Sequence, residues 1–355
     1  MGTMVGVQGE DFLLNGELTY PGCWRGSTRV EGLLLNSRMI QAVFDDENPD
    51  TRPLWAYPDT GQWDADRNTE EFCAALPHYA ACGLRAVTVG LQGGGSIYEP
   101  SVYSHYLATA FLPDGTLKQA WMDRLRRVLR AAEAAGIVVI VSLFYWRQER
   151  FNGDEAIFRA TDLAWDWLLH DGASNVILEI KNEIRPGSGL LHADGVGKLL
   201  ARCRERRGAA AGPLLSTSTF PKVHLMAGTW QDEVDVWMPH GNDSTANALS
   251  TEISEIRALP SHRDRPRPIL INEDSIHLEN LDAAIEAGAS WGYYDQGYGS
   301  GAVNGRFDWT RQPRESEVEH LSGFQTLPIN WGINTAHKRA FFTRVAEWTG
   351  GQAPA

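Results

Sequence analysis

The chain has 355 residues and a mass of 39.3 kDa, enough for one large domain or two medium ones. Apolar residues make up 43% of it and charged residues 22%, which excludes wholesale disorder, and no stretch stays apolar for the roughly 18–20 residues a membrane span requires. A net charge of −13 and a pI near 5.2 set the surface against phosphate backbones and anionic lipid, so neither nucleic acid nor a membrane is an expected partner.

The first element in chain order is Phe12-Leu13-Leu14-Asn15-Gly16-Glu17-Leu18-Thr19-Tyr20. Asn-Gly between two apolar runs is a strong hairpin signal, because both turn residues need positive φ, and a hairpin is expected over about residues 11–20. Leu33 to Phe44 contains the first barrel-type strand and ends in Asp45-Asp46. Asn68 to Ala81 reads as a helix with Asn68 as its cap, Glu71 at capping-box spacing, a kink at Pro77 and a stop at Gly83. Leu84 to Val89 is a strand. Leu117 to Ala135 is the clearest helix: Leu117, Trp121, Leu125, Val128, Leu129 and Ala132 share one face, and Gly136 closes it. Ile137 to Leu143 is continuously apolar, as in a strand buried on both faces of a parallel sheet.

The alternation continues. Glu155 to Leu169 reads as a helix with Ile157, Leu163 and Trp167 inward, Asn175 to Ile180 as a strand, and Val196 to Arg207 as a helix. Strands follow at Pro213 to Thr217 and Val234 to Met238, with no helix evident between them. Ser244 to Leu259 is a helix, Pro268 to Asn272 a strand, Leu278 to Ala287 a helix, Ser290 to Tyr294 a strand and Thr335 to Trp348 a final helix. Eight strands with helices between most of them predict an α/β fold, a (β/α)8 TIM barrel, with a doubly wound open sheet as the alternative that periodicity leaves open. One domain is expected over residues 1–355, with a frayed tail from about 349. Long loops follow strands one and eight, Asp45 to Arg67 and Asp295 to Ile333, and loops of that length tend to be functional.

Cys23, Cys73, Cys82 and Cys203 form no CxxC pair and read as free thiols. With no basic segment and apolar run at the N-terminus, they point to the cytoplasm.

In a parallel barrel, functional groups gather just past the strand ends. Lys181-Asn182-Glu183 follows the fourth strand and Asn272-Glu273-Asp274 the seventh, so two glutamates can converge across the mouth. Two facing carboxyls are the minimum equipment for cleaving a glycosidic bond. Ile180-Lys181-Asn182-Glu183 resembles the strand-four Asn-Glu motif of the clan A (β/α)8 glycoside hydrolases, which include glycoside hydrolase family 5. Ile269-Leu270-Ile271-Asn272-Glu273 resembles their strand-seven nucleophile segment, and Ser290-Trp291-Gly292-Tyr293 their strand-eight segment. The opening hairpin is similar to the one that often precedes their first barrel strand.

The resemblance implies a retaining O-glycosidase without a cofactor, acting on a small glycoside or oligosaccharide. Glu183 would be the general acid/base, Glu273 the nucleophile, Asn182 a hydrogen-bond partner of the sugar, and Trp291 the floor of a subsite. His240 matches the strand-six histidine, while Asn242 stands where many members carry tyrosine. The usual strand-two arginine is missing, with Thr88 near its place, and Arg38 on strand one is the candidate substitute. Leu143-Phe144-Tyr145-Trp146 replaces the usual strand-three histidine segment, which makes Tyr145 a substrate-binding candidate. These departures mark a divergent branch.

An acid working near neutral pH calls for a raised pKa at Glu183, and the nucleophile calls for donors around Glu273. Asp45 and Asp46, with Arg38 and Gln41, could grip sugar hydroxyls. Gln92 could reach the cleft rim. Trp55, Tyr57 and Trp63 either wall the cleft or pack the first long loop. The ten histidines form no HExxH motif and no GxSxG elbow occurs, so no metal is expected and a hydrolase elbow is excluded. Two rival readings stand beside the glycosidase: a non-catalytic carbohydrate-binding barrel, and a metal-dependent barrel hydrolase or isomerase using Asp45, Glu183, His240 and Glu273.

Overall fold

The computed structural model describes residues 2–95, 105–208, 212–220, 228–242, 244–295, 324 and 329–354. The Asn15-Gly16 turn takes positive φ at both residues, 56° and 82°. It joins β2 (Asp11–Leu14) to β3 (Glu17–Leu18), and β1 (Val5–Gln8) pairs antiparallel with β2. A second short pair follows, β4 (Trp24–Arg25) and β5 (Thr28–Arg29).

The barrel strands come next: β6 (Asn36–Arg38), β7 (Ala86–Gly90), β8 (Val138–Phe144), β9 (Val176–Lys181), β10 (Leu214–Ser216), β11 (Ser218–Thr219), β12 (Met238–Pro239) and β13 (Gly292–Tyr293). Parallel ladders run in the order β13-β6-β7-β8-β9-β10. The ring then closes through β11 with β12, a bridge from Trp237 to Ile269, and a bridge from Leu270 to Ser290. Every neighbour in this circuit is parallel, so β10 and β11 together act as the fifth strand and Ile269-Leu270 as the seventh.

Two expectations shift here. The first strand stops at Arg38, and Ile40–Val43 winds into a 3-10 turn whose four residues are all buried. A short apolar run does not reveal its period, so the turn read as strand. The seventh strand is present only as isolated bridges.

The helices ring the strands. In α1 (Ala65–Ala81), Asp64 is the cap and accepts from the amides of Asp66 and Arg67, four residues before the expected cap. Asn68 instead donates to the Gln41 carbonyl and accepts from Trp331 Nε1, and the helix runs on past Pro77. The helix α2 (Gln119–Ala135) ends on Gly136 at φ 70°, a left-handed cap that costs glycine little. In α3 (Asp154–His170) the buried face is Ala156, Ala160, Ala164, Trp165 and Leu168, while Leu163 is exposed and Ile157 and Trp167 are half-buried. Small residues let this helix approach closely, which outweighed the larger apolar side chains beside them.

Then come α4 (Ala193–Arg207), α5 (Trp230–Glu233) where no helix was expected, α6 (Ala246–Ala258), α7 (Pro260–Asp264), α8 (Leu278–Glu286) and α9 (Ala336–Thr349). Thr335 caps α9 through the Lys338 amide. Most of the second long loop lies outside the described residues. The four cysteines are free.

Two apolar cores result. The larger lies between strands and helices. The smaller fills the bottom of the barrel with Leu34, Ala86, Val138, Ile140, Ile177, Val236, Met238 and Leu270, closed from below by Val5 and Phe12 of the opening sheet. The hairpin is thus the floor of the barrel, and the opposite mouth is left for function. No described helix is long and apolar enough to cross a membrane.

Candidate active site

Strand alternation decides which side chains reach the mouth. Ile269 and Ile271 join the outer core while Leu270 joins the inner one, so Asn272 faces inward. Past the strand, the Gly241 amide donates to the Glu273 carbonyl, which ties the Glu273 segment to the end of strand six. On the fourth strand the Asn182 amide donates to the Phe144 carbonyl, and the Glu183 amide to Ser218 Oγ at 2.8 Å. Glu183 sits at φ 54°, a left-handed conformation that a non-glycine residue holds only when its surroundings enforce it.

Six of the expected residues converge. Arg38 is fully buried and pairs through Nε with Glu273 Oε2 at 2.7 Å, while its Nη2 donates to Asn182 Oδ1 at 2.7 Å. Asn242 Nδ2 donates to the other oxygen of Glu273 at 2.7 Å. His240 Nδ1 lies 3.1 Å from Glu183 Oε1 and 3.6 Å from Glu273 Oε2. One donor atom from each of Glu183, His240 and Glu273 falls within 4.8 Å of the others. Arg38 also lies over the Tyr294 ring at 5.6 Å. The strand-one arginine therefore grips both strand-four and strand-seven motifs.

The electrostatics follow. Burial pushes the His240 imidazole down, but the charges of Glu273 and Glu183 outweigh it and hold its pKa above the ordinary value. Burial pushes Glu183 up, yet the hydrogen bond and charge of His240, with Arg185 and Arg38, bring it below the ordinary carboxyl value. A raised pKa at Glu183 was expected; its pairing with His240 lowers it instead. Burial also pushes Arg38 down, and Glu273 and Glu179 more than reverse this.

Other expected residues stand elsewhere. Trp291 does not line the cleft: it is fully buried, its Nε1 donates to Asp274 Oδ2 at 2.9 Å, and its ring packs on Phe341 of α9. Trp291 and Tyr293 share the outer face of the strand, so Gly292 and Tyr294 take the inner one. Burial pushes Asp274 up to about 7 despite donors from Ser275, Asn280 and Trp291.

Asp46 is fully buried as a loop anchor, accepting from Thr51, Trp55 and the amides of Asn48 and Leu107. Asp45 holds Arg52 and Trp63. Trp55, Tyr57 and Trp63 cluster with Phe44, so they pack the first long loop rather than wall the cleft. Gln92 ties Thr109, Gln148 and the Tyr145 amide together inside the protein. Tyr145 lies against Gly93 and within the field of Arg38.

Sequence reading missed a cleft of about 340 Å³ beside Glu183, lined by Trp146, Glu149, Lys181, Asn182, Arg185 and His192 among others. Lys181 pairs there with Glu149, and Trp146 is 41% exposed. The signal was available: Trp146 and Lys181 lie at the ends of strands three and four, the positions a barrel uses.

No family model matches the chain, and no curated protein matches it in sequence. Among solved structures it is similar to an endo-1,4-β-mannanase from Rhizomucor miehei, at 11% identity and a TM-score of 0.56, covering 98% of this chain and 99% of that one. It is also similar to a glycoside hydrolase family 5 protein from Bacteroides vulgatus ATCC 8482, at 12% identity and a TM-score of 0.53 over 82% of this chain. A third is an exo-β-1,4-mannosidase from Opitutaceae bacterium strain TAV5, at 16% identity and a TM-score of 0.53 over 94% of this chain. The match spans 61% of the Bacteroides protein and 63% of the Opitutaceae one. What is shared at these identities is the (β/α)8 barrel.

Proposed function

We propose that this chain is a retaining O-glycosidase of the glycoside hydrolase family 5 type, cleaving a glycosidic bond in a small glycoside or oligosaccharide. The observation that carries this reading is the pair Glu183 and Glu273, with an oxygen of each inside a 4.8 Å cluster. Retaining enzymes hold their carboxyls about 5–5.5 Å apart, while inversion needs roughly 6.5–9.5 Å to seat a water between them. The 4.8 Å cluster favours the shorter, retaining spacing.

In the first step a Glu273 oxygen bonds to the anomeric carbon while the bond from that carbon to the leaving oxygen breaks. Arg38 and Asn242 hold the attacking carboxylate in place. His240 Nδ1, 3.1 Å away, hands its proton to Glu183, which passes it to the leaving oxygen and is left ionised beside a neutral His240. In the second step Glu183 takes a proton from water, whose oxygen displaces Glu273 from the sugar. Asn182 commits its oxygen to Arg38, which leaves its amide nitrogen to donate to the sugar hydroxyl beside the reacting carbon. The cleft past Glu183 is where a leaving sugar would sit, with Trp146 as a stacking face and Lys181 and Glu149 for its hydroxyls.

The solved neighbours named as mannanase and mannosidase make β-mannosides the first substrates to try. The test is release from a panel of aryl glycosides and oligosaccharides, comparing wild type with Glu273→Ala. Release abolished by the substitution supports the reading. Binding of oligosaccharides without release would favour the carbohydrate-binding barrel. The cluster of Glu183, His240 and Glu273 also suits a divalent cation by count. The Arg38 cation, already 2.7 Å from Glu273, weighs against it; activity lost to a chelator and restored by a metal would reverse that judgement.

A further inference from the structure

Beneath the catalytic groups the barrel interior turns polar. Above the apolar plug, the next inward positions carry Asn36, Thr88, Ser142, Glu179 and Asn272, all buried. Register sets Glu179 opposite Ser142 on one side and Ser216 on the other. Both carboxylate oxygens of Glu179 have no hydrogen-bond partner among the described residues. The same holds for Ser142 Oγ, Thr88 Oγ1, Asn36 Oδ1, both amide atoms of Asn272 and, from the layer above, Arg38 Nη1. A fully buried carboxylate without a partner is among the costliest arrangements a fold can hold, so it needs an opposite charge or bound water.

Two cations lie in its field. Lys181 is committed to Glu149. Arg38 has one nitrogen on Glu273, one on Asn182, and one unpartnered. Of the carboxylates acting on Arg38, Glu273 is the strongest and Glu179 the next.

We propose that Glu179 is a positioning residue: through buried water bridging its carboxylate to Arg38 Nη1, it is the counter-charge that fixes the guanidinium so that Arg38 holds Glu273 and Asn182 at once. Its role rests on the glycosidase reading, but its charge can be tested without turnover. Removing a negative charge beside Arg38 leaves that cation less compensated, and its neighbours give up protons more readily. His240 reports this, since it faces Arg38, Glu183, Glu273 and Asp274.

The experiment is an NMR titration of the His240 imidazole in wild type, Glu179→Gln and Glu179→Asp, with the pH profile of kcat/KM on any hydrolysed glycoside beside it. In Glu179→Gln the His240 pKa should fall by about half a unit or more. Both limbs of the activity profile should move to lower pH, with kcat reduced about tenfold or more and KM little changed. Glu179→Asp, which keeps the charge, should return His240 towards wild type, and Glu179→Ala, which removes the charge and leaves room for water, should shift His240 as Glu179→Gln does and carries the test if Glu179→Gln does not fold. Asp274, which burial pushes up to about 7, is followed beside His240 in each protein. A wild-type His240 titration in the charge-removing variant, with only thermal stability lowered, would overturn the proposal. A wild type that hydrolyses nothing while His240 still shifts would instead count against the glycosidase reading alone.

Discussion

At the scale of the residue, the site is a charge arrangement in which one proton is shared. His240 Nδ1 faces two carboxylates, and the pKa values of His240 and Glu183 move to favour their ion pair. For His240, raised in the fold, the stabilisation is complete below the ordinary value of 6.5 and is lost as pH rises through the folded value. For Glu183, lowered in the fold, it is present above the ordinary 4.5 and is lost as pH falls through the folded value. Both descriptions concern one interaction, so its contribution peaks between those two pH values. His240→Asn should therefore lose most stability against wild type inside that window and least outside it, as urea midpoints at a series of pH values would record. The acid role predicts something different for Glu183→Ala. Its kcat/KM should drop by about 10²–10⁴ on glycosides with poor leaving groups and far less on aryl glycosides whose leaving group needs no proton.

At the scale of the element, local geometry makes two demands that substitution can probe. Asp64 caps α1 with two amide hydrogen bonds, so Asp64→Ala should cost about 1 kcal/mol in a denaturant titration, with no change in substrate affinity. Gly292 faces the barrel interior on the strand that carries Tyr294. A methyl group there would lie 2.3 Å from Asn36 Oδ1 and 2.7 Å from the Ile271 carbonyl. Because the second contact is backbone, it cannot move aside, and Gly292→Ala should destabilise the fold by about 3 kcal/mol in the same titration. The strand-eight segment was legible as a motif, but its facing was not. Trp291 draws the eye as the larger aromatic, yet Phe341 and Asp274 claim it for the outer layer, and Tyr294 takes the inner position.

At the scale of the whole molecule, the opening hairpin and the mouth that holds Glu183 and Glu273 sit at opposite ends of one interior. Phe12 is fully buried in the plug that the strands share. Phe12→Ala should lower global stability by about 3–5 kcal/mol, seen as an earlier unfolding transition, while KM measured well below that transition stays near wild type. An intermediate effect on KM would mean that the floor and the mouth are coupled through the polar layer between them.

The strands, most helices and the glutamate pair could be read from the sequence, because apolar periodicity and strand-end position are local properties of the chain. The turn at Ile40–Val43 and the short helix at Trp230–Glu233 could not, since a few apolar residues carry no readable period. Arg38 was identifiable only as a candidate substitute for a missing arginine; its hold on Asn182 and Glu273, 144 and 235 positions away, exists only once the ring closes. The same closure turned Asp46, Gln92 and Trp291 from expected sugar contacts into internal ties, and left Glu179 buried beneath Arg38 with no hydrogen-bond partner among the described residues. Residue type and spacing determined which groups could do chemistry. Which of them face the cleft, and which charge answers which, depended on the direction each strand presents its side chains after it has found its neighbours.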